Sequence, residues 1–110
     1  MRVLAAALIA MTTFPLLPAR AAGDWFQYGL SAKQCRYYAM KQDISGRFRN
    51  YLSKSEGSTC RYPGQVFVYM ADCEGFRYRS YNQDAKFWTE WYTEIQPGSI
   101  AEQEIKYICI

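Results

Sequence analysis

Few residues in this chain could carry out chemistry, because histidine is missing from its 110 residues. The commonest general base and metal ligand is therefore absent, and nucleophilic pairs of serine or cysteine with histidine are excluded. Carboxylates remain as candidates: Asp72 and Glu74 flank a cysteine, and Glu90 and Glu94 have the spacing of one helical turn. The other carboxylates of the last third of the chain are Asp84, Glu102 and Glu104. Glu90 and Glu94 fit either a paired-carboxylate glycosidase site or a solvated helix face, and we favour the solvated face.

The four cysteines, Cys35, Cys60, Cys73 and Cys109, are predicted to form two disulfides, because their number is even and the N-terminus indicates export. A zinc site is disfavoured, since no two cysteines are close in sequence. The strand predicted between Cys60 and Cys73 spans about 23 Å, which is too far for those two to pair. If the last strand runs back towards Cys60, the pairs are Cys35–Cys73 and Cys60–Cys109.

The hairpin predicted over residues 65–81 carries the most specific group of side chains. Side chains alternate between the two faces of a strand, so one set faces inward under a helix and the other faces outward. The inward set is Val66, Val68, Met70, Phe76 and Tyr78. The outward set, predicted to bind a partner, is Phe67, Tyr69, Arg77, Arg79 and Tyr81.

The outward set suits recognition of an anionic partner. Guanidinium groups pair with carboxylates and phosphates and also stack on rings, and arginine and tyrosine are enriched at interface hot spots. The alternative is a cross-strand cation–π ladder that only completes the sheet.

The elements that position this surface follow from local patterns. Ser31 and Gln34 have the spacing of a capping box, which predicts a helix over residues 32–42. The hairpin strands, at 65–71 and 76–81, are rich in β-branched and aromatic residues and are bounded by turn residues. Two further segments complete the pattern: residues 105–110 are predicted as a last strand, and residues 47–52 fit a strand or a helical turn.

The segment at 85–95 allows two interpretations. Its apolar residues recur at helical spacing, whereas its aromatic and threonine content is typical of a strand. We favour a second helix. The predicted fold class is therefore α+β: a small disulfide-stabilised domain with an N-terminal helix packed on a mainly antiparallel sheet of three to four strands.

Residues 1–21 are predicted to be a cleavable signal peptide. Arg2 provides a short charged region, residues 3–17 are almost entirely apolar, and Ala19 and Ala21 fit a cleavage site after Ala21. Cleavage after Ala22 fits nearly as well. The alternative is a membrane anchor, but an apolar run of about 15 residues is short for a bilayer. Residues 22–110 are therefore predicted to be one exported domain without a membrane span, periplasmic in a bacterium and extracellular in a eukaryote.

The charge distribution argues against a nucleic-acid partner. The chain carries a net charge of +3, but Arg2 and Arg20 lie in the predicted signal peptide. The mature part then has 11 basic and 10 acidic residues, which is no strong nucleic-acid signal. Residues 22–79 carry a net charge of +4 and residues 80–110 a net charge of −3, so one part of the domain can be electropositive.

These observations favour a binding protein over an enzyme. No phosphate loop, dinucleotide fingerprint or metalloprotease motif is present, so we expect no catalytic residue, cofactor or metal ion. We predict a protein that occupies another protein or an anionic ligand, as an inhibitor, an immunity protein or an effector. The alternatives are a small secreted hydrolase without histidine, cleaving RNA or glycans, and an envelope structural or assembly accessory. The sequence leaves the oligomeric state open.

Overall fold

The computed structural model describes residues 24–110, so the predicted signal peptide and its cleavage site lie outside the described residues. The six strands are β1 (Phe26–Leu30), β2 (Arg36–Ser45), β3 (Phe48–Glu56), β4 (Phe67–Asp72), β5 (Arg77–Asn82) and β6 (Phe87–Trp88). Within this range a single helix, α1 (Ile100–Ile108), follows the strands. Every strand pairs antiparallel with its sequence neighbour, so the sheet order is β1 to β6.

The predicted fold, with an N-terminal helix on three to four strands, is wrong, because the structure is mostly a six-stranded antiparallel sheet with a short C-terminal helix. The segment 32–42 forms a turn and the beginning of β2. The Ser31 hydroxyl accepts the backbone N–H groups of Lys33 at 3.2 Å and Cys35 at 3.1 Å. Gln34 has a φ of 69°, which is not helical, so the chain turns back here instead of starting a helix.

The last strand predicted at 105–110 is also wrong, since most of this segment belongs to α1. The Ser99 hydroxyl accepts the N–H of Glu102 at 3.2 Å, and the Glu102 carboxylate accepts the N–H of Gly98 at 2.7 Å. These bonds satisfy donors that a helix start leaves free. The helix buries three side chains: Glu104, Ile105 and Ile108.

The segment at 85–95 is not helical: after a turn that includes Lys86, the chain pairs with β5, so the second helix is wrong and the strand interpretation is closer. Trp88 pairs with Tyr81 in the β5–β6 ladder. Further along, Tyr92 and Tyr78 exchange two backbone hydrogen bonds, of 2.7 and 3.3 Å. Backbone pairing with β5 thus decides the conformation of this segment.

The predicted hairpin is confirmed as β4 and β5, and residues 47–52 lie almost entirely in β3. Helix α1 packs on one face of the sheet, which we call the helix face; the opposite one is the open face. Gly29 on β1 allows this packing, because a Cβ there would lie 3.1 Å from the Ile100 side chain. The buried cluster beneath α1 consists of Ala39, Tyr51, Ala71 and Ile108.

Two disulfides are present as predicted, but their pairing is Cys35–Cys60 and Cys73–Cys109. The predicted pairing was wrong because the last segment is not a strand returning towards Cys60. Instead α1 crosses the helix face and ends beside the β4–β5 turn, where Cys73 lies. Cys60, just after β3, lies beside the end of the β1–β2 turn.

The two disulfides indicate an oxidising compartment, such as the periplasm or the extracellular space. Across residues 24–110, no helix has both the length and the apolar character needed to cross a membrane.

Candidate functional site

The predicted partner-binding residues lie on two faces of the sheet. In the β4–β5 ladder Tyr69 is opposite Ser80 and Met70 is opposite Arg79. Directly opposite residues share a face, and residues two apart in a strand do so too. The members on the open face are Arg77, Arg79 and Tyr81. The members on the helix face are Phe67 and Tyr69. The expectation of one shared outward surface is therefore wrong.

The β4–β5 turn explains this error. Phe76 has a φ of 50° and lies in the turn, so the return strand begins at Arg77. Compared with the predicted pairing, the two strands are shifted by one residue, so the return strand keeps its predicted faces and the side chains of β4 lie on the face opposite to the predicted one. Of the residues predicted to face inward, Val68 and Met70 lie on the open face and Tyr78 lies on the helix face.

The open face carries guanidinium groups stacked with aromatic rings, and we call this cluster the arginine–indole surface. Its members are Arg47, Phe48, Arg77, Arg79, Trp88 and Trp91. The Trp91 ring centroid lies 4.4 Å from the Arg77 guanidinium and 4.5 Å from that of Arg79. The Trp88 ring lies 5.3 Å from Arg79. Such contacts hold a guanidinium by its face and leave its N–H edges for hydrogen bonds.

Asp72 organises one side of this surface. Its fully buried carboxylate accepts hydrogen bonds from Arg47 Nε at 2.7 Å and from Arg77 Nε at 2.8 Å. The backbone N–H groups of Glu74 and Gly75 also donate to it, at 3.1 and 3.0 Å. These bonds, that of Arg47 above all, hold the pKa of the Asp72 carboxyl well below its usual range. Asp72 is therefore a fixed anion that orients two arginines.

Arg79 differs from its neighbours because no acid holds it. Within residues 24–110 it makes no ion pair, and its enclosed Nε has no hydrogen-bond acceptor. Its Nη2 reaches the Met70 sulfur, a weak acceptor, at 3.8 Å. Leaving a buried donor unpaired costs about 1–3 kcal/mol, so such groups are uncommon and call for a reason.

A second concave site lies on the helix face, between α1 and the sheet. It has a volume of about 250 Å³, and we call it the tyrosine cleft. Its aromatic walls are Tyr28, Tyr37, Tyr62, Phe67, Tyr69 and Tyr78. Glu104 of α1 also lines it and, at 6% exposure, is the most deeply buried residue of the lining.

The surroundings of Glu104 change its acidity. Burial raises the pKa of the Glu104 carboxyl to about 7, although nearby hydroxyl groups of Ser53, Tyr51 and Tyr28 favour its charged form. Its Oε2 has no hydrogen-bond partner among the described residues. Burial, followed by the charge of Glu104, also raises the pKa of Tyr69, so its hydroxyl stays neutral at physiological pH.

Glu104 received no role from its sequence pattern, because residues 105–110 were predicted to form a strand. The available signal was the capping-box spacing of Ser99 and Glu102, which the structure confirms as the start of a helix. A helix beginning there places Glu104 beside Ile105 and one turn before Ile108, on the apolar side. The sequence thus held enough information to place this carboxyl inside.

The carboxylates considered from sequence do not form a catalytic pair. Glu90 and Glu94 are exposed and lie in an extended segment, so their one-turn helical spacing does not apply. Asp72 is ion-paired, while Glu74 is exposed in the turn. Over the part of the chain that the structure describes, no group of histidine, cysteine and acidic residues is arranged to hold a metal ion.

The chain matches no protein-family model, no curated protein and no solved structure.

Proposed function

We propose that this protein is a small exported binding protein that occupies an acidic surface of another protein through the arginine–indole surface. The observation that carries the proposal is Arg79, a half-buried cation between two indole rings that has no acid partner in residues 24–110. A carboxylate of the partner supplies the missing counter-charge and pairs with the outer N–H groups of Arg79, because guanidinium edges match carboxylates in geometry and charge.

The composition of the surface supports a protein as the partner. Tryptophan and arginine are the residue types that dominate binding energy at protein interfaces, and here both occur in one patch. The mature part of the chain has a net charge of only +1, whereas nucleic-acid binding is typical of strongly basic domains. A local cluster of arginines on a nearly neutral domain suits a local cluster of carboxylates.

The hydrolase alternative has less support from the same geometry. A glycosidase uses two carboxyl groups on either side of the bond that it cleaves. Among the described residues, Glu104 is the one carboxyl that lines the tyrosine cleft, and Asp72 is occupied by two arginines. Neither site therefore provides the second acid that the mechanism requires.

The proposal is tested with a short synthetic peptide of alternating glutamate and glycine, titrated calorimetrically into residues 22–110. We expect Arg79→Ala to weaken binding by about thirtyfold, the effect of losing a hot-spot residue. Arg79→Lys should lose most of the same affinity, because lysine keeps the charge but lacks the stacking plane and the paired donors. Binding should also weaken with added salt.

Lys33→Ala is the matched control, since it removes the same charge from an exposed turn between β1 and β2. Arg79 is the position to change because Arg77 also holds Asp72, and its loss would disturb the fold. Unchanged peptide affinity in Arg79→Ala contradicts the proposal. Tighter binding of a single-stranded oligonucleotide than of the peptide contradicts it as well.

A further inference from the structure

We propose that the tyrosine cleft is a second binding site, which takes a primary ammonium group carried on a short apolar chain. The cleft lies on the helix face, whereas the arginine–indole surface lies on the open face, so this inference does not rest on the function proposed above. The ammonium group pairs with Glu104, and its carbon chain lies along the aromatic walls.

The size of the cleft limits the ligand. Pockets for drug-sized molecules measure about 300–1,000 Å³, and this cleft of about 250 Å³ is smaller. It therefore suits one long side chain or a small amine. Six aromatic rings wall it, and the negative faces of such rings attract a cation.

Glu104 sets the charge of the ligand. Within residues 24–110 this carboxyl makes no ion pair, and its Oε2 accepts no hydrogen bond. Neither basic residue at the cleft pairs with Glu104: Lys54 pairs with Glu56 at 3.0 Å, and the Arg61 guanidinium lies 5.7 Å from the ring of Tyr62, a wall of the cleft. A primary ammonium group supplies both the missing charge and an N–H donor.

Pairing of the ammonium group with Glu104 predicts that the affinity for the ligand depends on pH. Burial raises the pKa of Glu104 to about 7, so the carboxylate form gains population between pH 6 and 8, while an alkylammonium stays charged. Affinity should therefore rise over this interval. The other titratable or charged groups around Glu104 are Tyr28, Tyr51, Tyr69, Tyr78, Lys54 and Arg61. Burial raises the pKa of the four tyrosines, so their hydroxyl groups stay neutral over this interval.

The experiment titrates residues 22–110 with n-butylammonium chloride and, separately, with n-butanol, and follows the tyrosine resonances by NMR. We expect saturable binding of butylammonium in the millimolar range and about tenfold weaker binding of butanol, which has the same chain but no charge. Glu104→Gln should lower the butylammonium affinity by about tenfold, and Glu94→Gln should leave it unchanged. Glu94 is the matched control because it is exposed and loses the same charge.

Tyr62→Ala provides a second variant, because Tyr62 is 51% exposed and its removal opens one wall with little effect on folding. It should weaken butylammonium binding while Glu104 stays in place. The ammonium group could belong to a lysine side chain of a polypeptide or to a free amine, and an acetylated peptide with one lysine distinguishes these two sources. Tighter binding of the peptide than of butylammonium identifies a lysine of a polypeptide, and weaker binding identifies a free amine. Equal affinity for butanol, wild-type affinity in Glu104→Gln, or no saturable binding of either ammonium probe overturns the proposal.

Discussion

Asp72 and Glu104 are both buried carboxyls, yet their surroundings shift their pKa values in opposite directions. Asp72 has Arg47, Arg77 and two backbone donors, so its charged form is stabilised. Glu104 has hydroxyl groups and aromatic rings around it but no ion pair within residues 24–110, so burial favours its neutral form. The stability from Asp72 is present above its ordinary pKa near 3.8 and is lost as the pH falls further.

Glu104 has the opposite effect on stability. Because its pKa is about 7 in the folded protein and 4.5 ordinarily, its contribution is complete below pH 4.5 and is lost as the pH rises through 7. Glu104→Gln should therefore raise the free energy of unfolding at pH 8 by roughly 3 kcal/mol and flatten the dependence between pH 5 and 8. Urea unfolding at pH 5 and 8 measures both effects.

The exposed Glu94→Gln serves as the control for Glu104→Gln, and it should change stability by no more than about 0.5 kcal/mol. A wild-type protein equally stable at pH 5 and 8 would contradict the expected titration of Glu104. A Glu104→Gln protein that is more stable and yet binds butylammonium more weakly would separate the ligand site from any folding defect.

At the scale of elements, the backbone of the β4–β5 turn determines the positions of the Asp72 carboxylate and the Arg77 guanidinium. Gly75 lies in this turn, and a Cβ there would be 2.8 Å from Asp72 Oδ2 and 3.1 Å from Arg77 Nε. A side chain would thus displace the carboxylate or the guanidinium that it holds. Gly75→Ala should lower the free energy of unfolding by about 2 kcal/mol, the scale of a lost charged hydrogen bond.

A double-mutant cycle tests this explanation for Gly75. In an Asp72→Ala background the cost of Gly75→Ala should largely disappear, because the group that collides with the new methyl has gone. Glu74→Ala in the same turn should change stability little, since its side chain is 72% exposed. Equal costs of Gly75→Ala in both backgrounds would locate the strain in the backbone instead.

At the scale of the whole molecule, the two disulfides stabilise different parts of the fold. Cys35–Cys60 joins two turns at one end of the sheet, whereas Cys73–Cys109 ties the end of α1 to the β4–β5 turn. Their sequence separations, 25 and 36 residues, are similar on the logarithmic scale that governs loop closure. Each bridge therefore contributes about 3–4 kcal/mol in the chain-entropy account.

Removing each bridge should give similar losses of global stability but different local effects. Replacing Cys73 and Cys109 by serine releases α1, so the α1 amides should exchange hydrogen faster by a sub-global opening. In the matched variant, with Cys35 and Cys60 replaced by serine, the α1 amides should exchange hydrogen only when the whole protein unfolds. Hydrogen-exchange mass spectrometry compares the exchange of the α1 amides in the two variants, each measured the same number of degrees below its own melting temperature. Equal hydrogen-exchange protection of α1 in both variants would contradict the view that Cys73–Cys109 holds α1 on the sheet.

Some features followed from the sequence because their causes are local. The hairpin over residues 65–81 was predicted correctly, since its strands have β-branched and aromatic residues between strong turn signals. The two disulfides followed from an even cysteine count in a chain that begins like an exported one. The helix start at Ser99 also has a local signal, its capping-box spacing with Glu102, although the isoleucines after it suggested a strand.

The remaining features depend on contacts between distant segments. Residues 85–95 have apolar residues at helical spacing but a composition typical of a strand, and pairing with β5 decided against the helix that we favoured. Whether Arg79 shares its face with Tyr69 or with Met70 depended on where the β4–β5 turn ends, because a one-residue shift moves every side chain of one strand to the other face relative to its partner strand. The cysteine pairs depended on the path of α1 across the sheet. Local sequence fixes neither register nor path, since both are set by which distant surfaces pack together.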